Sequence, residues 1–344
     1  MSTQKLVAVD KAPDDSGESQ HRPFVPFDVF LKRTHAAARE LFDRNIHTHF
    51  HFSRHYMESD AMLAHSHFQQ TDLYAPEYQF WRPDVKKVFQ EVSDGSLEPE
   101  KGVRQIDTVF PNHILGIFRM IYQSRKPILF LDLPMGMHPD PLCTGYIGSG
   151  EENANSNSTV EKIRGRGWIK WKNMGKTLLR EEFILKRIAP SVDQALDDYS
   201  HLIEKKKQSG LRLLLTIGST HRNMSHALRH CGAPVSRSFG EMSYLSDPAE
   251  EYFQRLIHGR TITNELVYKA YLTGILFKIF PAQENATAEI VIIRRALQMF
   301  TSKELQQLCE ECFSQYFDED NKVKAEIIRE AMRKKGGDTV LLSR

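Results

Sequence analysis

Gly210-Leu-Arg-Leu-Leu-Leu-Thr-Ile-Gly-Ser-Thr-His-Arg-Asn-Met-Ser-His-Ala-Leu-Arg-His230 is the stretch on which the fold turns. Leu213, Leu214 and Ile217 fall on one helical face, and Gly218 supplies a turn. Ser219 or Thr220 can then cap a second helix with Met224, Ala227 and Leu228 turned inward. Read so, the stretch is a helix-turn-helix. Arg222, Asn223, Ser225, His226 and Arg229 would point outward, and these are residue types that hydrogen-bond base edges or phosphates in a major groove. The same letters also read as a buried strand, Leu211 to Ile217, ending at a glycine. His221 would then stand just past a strand's C-terminal end, where parallel sheets gather their ligands. We take the helix-turn-helix as the expectation.

Fifty residues upstream, Lys162 to Arg187 carries basic residues at 162, 164, 166, 170, 172, 176, 180, 186 and 187. At its centre, Arg164-Gly-Arg-Gly-Trp-Ile-Lys-Trp-Lys172 alternates like a strand, with Trp168, Lys170 and Lys172 on one side. Arg164, Arg166, Lys170 and Lys172 suit phosphate oxygens, and an exposed indole suits base stacking. Gly175-Lys-Thr177 is not a P-loop, because Lys170 stands where the first glycine belongs. Together the two basic segments point to DNA as the partner, as for a transcriptional regulator or a replication or transfer accessory factor. On that reading the chain is not an enzyme.

The second concentration of chemistry is histidine. Six of the fifteen fall between His47 and His67. As a strand, Ile46 to Phe52 places His47, His49 and His51 on one face, and three imidazoles on one side can bind zinc or another divalent cation. His47-Thr-His49 resembles the His-x-His opening of amidohydrolase barrels. That resemblance implies a metal-dependent hydrolase, with His138, His221 and Asp247 as nominal further ligands. His49-Phe-His51 is similar to the His-hydrophobe-His element of rolling-circle replication nucleases, which implies a tyrosine nucleophile such as Tyr56, Tyr74 or Tyr78. Neither comes with the strand and helix order its family needs. A metal-dependent hydrolase or nuclease on His47, His49 and His51 is therefore the alternative to DNA binding, and without it no cofactor is expected.

Four cysteines suit a reducing compartment. Cys309 and Cys312 lie on the apolar stripe of a helix opened by a Thr301/Glu304 capping box, where a thiol acts as a small hydrophobe rather than a zinc ligand. The whole chain has 344 residues, 40% apolar and 26% charged, with a net charge of +2. Those figures exclude a mostly disordered chain and a disulfide-stapled miniprotein. No apolar run reaches the length of a membrane span, so no membrane partner is expected, and the polar start lacks a secretory pattern, which points to the cytoplasm.

The expected organisation is a disordered tail over 1–23, an N-terminal α+β domain over 24–150, and a mainly helical domain over 160–344. The fold class expected is α+β, mainly α-helical, with the strands in the N-terminal region. The apolar faces from Thr263 to Phe317 offer a third function, assembly through the C-terminal helices as a homo-oligomer or with a protein partner.

Overall fold

A computed structural model describes residues 25–53, 58–78, 81–108, 110–133, 158–218, 220–240, 247–279, 286–314 and 321–336. The expected tail over 1–23 lies outside them, as do His138, Cys143, Tyr56 and Ser219. The chain is mainly helical around a small four-stranded parallel sheet. No helix among the described residues is long and apolar enough to cross a membrane.

Helix α1 (Pro26–Asp43) buries Phe30, Thr34, Ala38 and Leu41, one residue per turn along a single stripe. Asn45, at φ 54°, turns the chain directly into strand β1 (Ile46–Ser53). Strands β2 (Leu73–Pro76), β3 (Leu211–Gly218) and β4 (Val235–Phe239) complete the sheet in the order β2-β3-β1-β4. Two strands come from each side of residue 150. Beyond β2, residues 127–129 continue the sheet as a short bridge, with Leu129 N–H donating to the Tyr74 carbonyl at 2.7 Å.

The stretch that decides the fold is a strand, not the first helix of a helix-turn-helix. Leu211 to Gly218 pairs with β1 on one side and β2 on the other, and all of it except Arg212 is buried. A parallel strand covered on both faces is apolar at consecutive positions, so an uninterrupted leucine run suits it better than a helix with one wet side. The second half of the reading holds as a helix, α9 (Asn223–His230), with Met224, Ala227 and Leu228 inward as expected. Asn223 and Ser225 are buried with them, which removes them from any outward face.

The basic segment also departs from expectation. Arg164 to Lys172 is part of helix α7 (Thr159–Asp198), 40 residues long, instead of a strand. Alternation over nine residues is weak evidence when Lys, Arg, Glu and Leu on both sides favour a helix. Helix α8 (His201–Ser209) follows and returns the chain to β3.

Three cores result. The first lies on the face of the sheet shared by Phe50, Phe52, Leu213, Leu215 and Ile217, against α1, α7 and α9. The second, on the opposite face, packs Leu214 and Tyr74 against α2 (Glu58–Met62), α3 (His65–Gln69), α4 (Pro83–Asp94), α5 (Pro99–Arg104) and α6 (Pro111–Ile121). The third is purely helical: α10 (Pro248–Ile257), α11 (Asn264–Ile279), α12 (Ala286–Gln298), α13 (Ser302–Ser314), α14 (Asn321–Lys334) and the start of α7. Cys309 and Cys312 are buried in it, and Thr301 and Glu304 form the capping box, the threonine N–H donating to the glutamate at 2.8 Å.

Candidate functional site

Parallel strands present their C-terminal ends along one edge, and the chain places charge there. Glu77 directly follows β2, and His221 follows β3 by three residues. Asp132 lies at the end of the extended segment beside β2. Helix α7 crosses with the consecutive pair Arg180 and Glu181, and Asn223 opens α9. All six side chains are largely or wholly buried. Open parallel sheets bind their ligands at this edge.

Arg180 is the hub. Its Nε donates to Asp132 Oδ1 at 2.8 Å and its Nη2 donates to Asp132 Oδ2, a two-pronged grip on one carboxylate. Nη2 also lies 2.7 Å from Glu77 Oε1, and Nη1 lies 3.0 Å from His221 Nε2. Burial works against its charge, but Glu77 and Asp132 outweigh burial and hold the guanidinium firmly protonated. Glu77 is fixed in turn by the Gly218 N–H at the end of β3.

His221 stands between two carboxylates, Nδ1 3.4 Å from Glu181 Oε1 and Nε2 3.5 Å from Glu77 Oε1. Desolvation alone would lower its pKa and Arg180 opposes its charge, yet Glu181 and Glu77 prevail and raise it to about 9. The contacts at Nε2 define two states. Arg180 can only donate, so the neutral ring accepts from it; Glu77 can only accept, so the charged ring donates to it. Glu181, wholly buried, is pushed upward by desolvation, with His221 and Asn223 pulling the other way. The pair therefore holds a proton that either partner can carry.

Most buried polar atoms in folded proteins find partners. Here Glu181 Oε2, His221 Nδ1 and Asn223 Oδ1 have no hydrogen-bond partner, although Asn223 Nδ2 reaches Glu181 Oε1 at 3.3 Å. His221 Nδ1 faces Glu181 at 3.4 Å, so the two oxygens are the acceptors that the cluster leaves for a bound water or substrate group. Comparison with protein-family models, with curated proteins and with solved structures found no match.

The histidines anticipated as a metal centre do share one face of β1, as the strand reading predicts. Four of their six ring nitrogens meet serine hydroxyls. His47 Nε2 and His49 Nδ1 both meet Ser236 Oγ, at 3.0 and 2.7 Å. His49 Nε2 and His51 Nδ1 both meet Ser238 Oγ, at 2.7 and 2.9 Å. The result is a ladder of imidazole and hydroxyl alternating between β1 and β4, with His67 stacked on His49 at 4.0 Å. Burial, and the neighbouring His67, His51 and His47, push the His49 pKa down to about 4. Among the described residues no three His, Cys, Asp or Glu side chains are placed to hold a metal ion. His221 belongs to the carboxylate cluster, and Asp247 caps α10 by accepting from Glu250 N–H at 2.8 Å.

The residues anticipated for DNA lie on two helices, α7 and α9. Arg164, Arg166, Lys170 and Lys172 lie in the first turns of α7. Arg222 is half-buried, 3.3 Å from Glu250, and its guanidinium lies over the Phe239 ring. His226 is half-buried beside Phe27 and His258, and Arg229 is exposed at the end of α9. Sequence reasoning singled out His221 but missed Glu77, Asp132, Arg180 and Glu181. A signal for Asp132 was present: one carboxylate inside the apolar run Ile128-Leu-Phe-Leu-Asp-Leu133.

Proposed function

We propose that this chain is an enzyme that works by proton transfer, a hydrolase whose centre is the Glu77, Asp132, Arg180, Glu181, His221 and Asn223 cluster. The observation that carries this reading is that two buried oxygens without hydrogen-bond partners, Glu181 Oε2 and Asn223 Oδ1, stand beside a carboxylate–imidazole pair at the sheet's C-terminal edge. A network serving stability alone gains nothing from leaving such atoms unpaired, since each costs about 1–3 kcal/mol. Strongly shifted titrating groups in a ligand-binding position are the mark of acid–base sites.

The roles follow from the contacts. With the His221 ring already protonated at neutral pH, the Glu181 carboxylate takes a proton from a water and the His221 imidazolium gives one to the leaving group. Arg180, fixed by Asp132 and Glu77, keeps positive charge beside the imidazole and adjusts its protonation. Asn223 orients the Glu181 carboxylate. With no hydroxyl or thiol among the six side chains, this reading assigns the role of nucleophile to water.

The test is turnover of ester, amide and phosphodiester substrates by wild type beside Glu181→Gln and His221→Gln, with circular dichroism to confirm folding. The proposal expects hydrolysis of one class, reduced about 100-fold or more in both folded variants, the scale of a lost general base. Undiminished turnover in either variant would remove the assignment. Absence of turnover by the wild type on all three classes would remove the hydrolase reading.

A further inference from the structure

The sheet does not end at β2. Tyr74 N–H donates to the Pro127 carbonyl at 3.1 Å, and the Tyr74 carbonyl accepts from Leu129 N–H at 2.7 Å, so residues 127–130 run beside β2 in the parallel pattern. In that pattern alternate residues turn their backbone groups to opposite sides. Pro127 and Leu129 face β2, and Ile128 and Phe130 face away from it. The N–H and carbonyl groups of Ile128 and Phe130 find no hydrogen-bond partner among the described residues. An open edge of this kind is a template for another extended chain.

That edge floors a cleft of about 570 Å³ walled by α4 and α7, a volume typical of sites that take a whole small molecule. Each wall carries a cation toward one end and a carboxylate toward the other. On α4, Lys86 Nζ lies 5.4 Å from the centre of the Phe130 ring. Ser93 Oγ donates to the Lys126 carbonyl at 3.3 Å, which puts the adjoining Asp94 at the opposite end of the floor. The order on α7 is the same. Arg180 holds Asp132 just beyond Phe130, and Arg187 and then Asp198 line the cleft as the helix runs back. The spacings agree: about 12 Å of helix from Lys86 to Asp94 and about 16 Å from Arg187 to Asp198, against about 13 Å of floor from Lys126 to Phe130. Lys126 itself is engaged, its ammonium donating to the Thr71 carbonyl at 2.7 Å.

The four charges at the ends form no ion pair among the described residues, and Asp198 accepts from the neutral Gln194 Nε2 at 3.3 Å. Burial and the Arg187 charge lower the Lys86 pKa, while burial, then Asp94 and Asp198, raise that of Tyr199 on the α7 wall. Each end thus gathers like charges that an opposite charge would relieve. One kind of molecule matches all three features. An extended peptide carries N–H and C=O groups at the repeat of the floor, and its free ends carry opposite charges. Its direction is fixed as well. With the ammonium at Asp94 and Asp198 and the carboxylate at Lys86 and Arg187, it runs parallel to residues 127–130, as neighbouring strands of this sheet do.

We propose that the cleft between α4, α7 and residues 127–130 binds a short peptide with free ends, about four residues long, as an added strand on the Ile128 and Phe130 edge. Its amino group meets Asp94 and Asp198, and its carboxylate meets Lys86 and Arg187. Alternate side chains face the two walls, where Ser93 and Ser191 favour small residues. Binding needs no reaction at Glu181 and His221, so the site stands independently of the hydrolase reading.

The experiment is calorimetric titration of the full chain with tetraalanine. Its N-acetylated and C-amidated forms run alongside, with two forms N-methylated at neighbouring residues. Lys86→Gln and Arg187→Gln, both in half-buried positions on the walls, are titrated in the same way. The proposal expects saturable binding of the free peptide, weakened about 10-fold by blocking either end. Of the two N-methylated forms, one should weaken by a similar factor and the other bind like the parent, because neighbouring N–H groups face the floor and the solvent in turn. Lys86→Gln and Arg187→Gln should weaken the free peptide and leave the amidated form unchanged. No saturable binding by the folded wild type would overturn the proposal. Equal binding of free and amidated peptide would also overturn it. Indifference to N-methylation at both positions would remove the added strand, and with it the proposal.

Discussion

Glu181 and His221 meet inside the protein with 3.4 Å between carboxylate oxygen and Nδ1, one partner wholly buried and the other nearly so. Both are shifted upward, so the native site binds a proton more tightly than the unfolded chain. The sign is fixed by linkage. Stability from His221 is fully present below its unfolded pKa of about 6.5 and is lost as pH rises through about 9. Denaturant midpoints should therefore fall between pH 6.5 and pH 9 in wild type, and His221→Gln should flatten that slope. In Glu181→Gln the His221 ring should titrate lower by one unit or more, on the order of what one close carboxylate supplies, followed by proton NMR of the ring. An unchanged titration would mean that Glu181 does not set the proton's position.

Arg180 answers to two buried carboxylates at once. Its removal strands Asp132 and Glu77 away from water, and breaking a buried pair from one side typically costs about 3–5 kcal/mol. Arg180→Met should lower the free energy of unfolding by that order. Arg180→Lys should recover only part of it, because an ammonium cannot grip Asp132 through two nitrogens while reaching Glu77. Chemical denaturation of the two variants decides this, and equal stability of Lys and Arg would show that the fork is not needed.

The serines of β4 each join two imidazoles, and a hydroxyl has one proton to give. In the neutral ladder each serine donates to one ring and accepts from the next, so the proton position on His49 sets the direction of all four bonds. Ser236→Ala or Ser238→Ala should destabilise by about 1–3 kcal/mol, since each leaves nitrogens of two half-buried or buried rings unpaired. The ladder also predicts acid sensitivity of the opposite sign to His221. His49 in the ladder, and His258 outside it beside Phe27, are depressed to about 4. The stability they contribute is present above about pH 6.5 and lost as pH falls through 4. Proton uptake on unfolding between pH 6.5 and 4, reduced in His49→Phe, is the measurable consequence.

Where local pattern decides structure, the sequence is readable. The alternation of His47, His49 and His51 against Ile46, Phe50 and Phe52 gives the two faces of β1, and Thr301 with Glu304 gives the start of α13. The leucines of β3 are ambiguous for a physical reason. A strand buried on both faces loses the period of two that marks a half-exposed one, and a short apolar run then looks like either element. The carboxylate cluster is illegible for another reason. Glu77, Asp132, Glu181 and His221 are separated by 40 to 55 residues at each step, and only the order β2-β3-β1-β4 brings their carriers to one edge.

The thiols of α13 provide a check on the helical core. Burial pushes Cys312 up to about 11 and Cys309 higher still, which removes the reactive thiolate at neutral pH. Alkylation of native protein should mark Cys231, which is partly exposed, and spare Cys309 and Cys312 until unfolding. Early labelling at either α13 cysteine, located by mass spectrometry, would contradict the packing of α13 against α11.

Gly210 controls how β3 enters the sheet. It has φ 75°, and a Cβ there would stand 2.5 Å from the Asn45 carbonyl oxygen, the atom that accepts the Leu211 N–H at 3.3 Å. An alanine must therefore adopt a backbone conformation that is essentially confined to glycine, costing on the order of 1–3 kcal/mol, and must also push the start of β3 away from β1. That displacement travels along the register from Leu211 to Gly218, whose N–H fixes Glu77. Gly210→Ala should lose stability and also disturb the titration of His221, although the two residues lie at opposite ends of the strand. Gly232→Ala is the control: it shares the positive φ but has nothing within 4 Å of its Cβ. It should lose stability and leave the titration of His221 intact, and a matching disturbance in the control would sever the link between strand entry and the cluster.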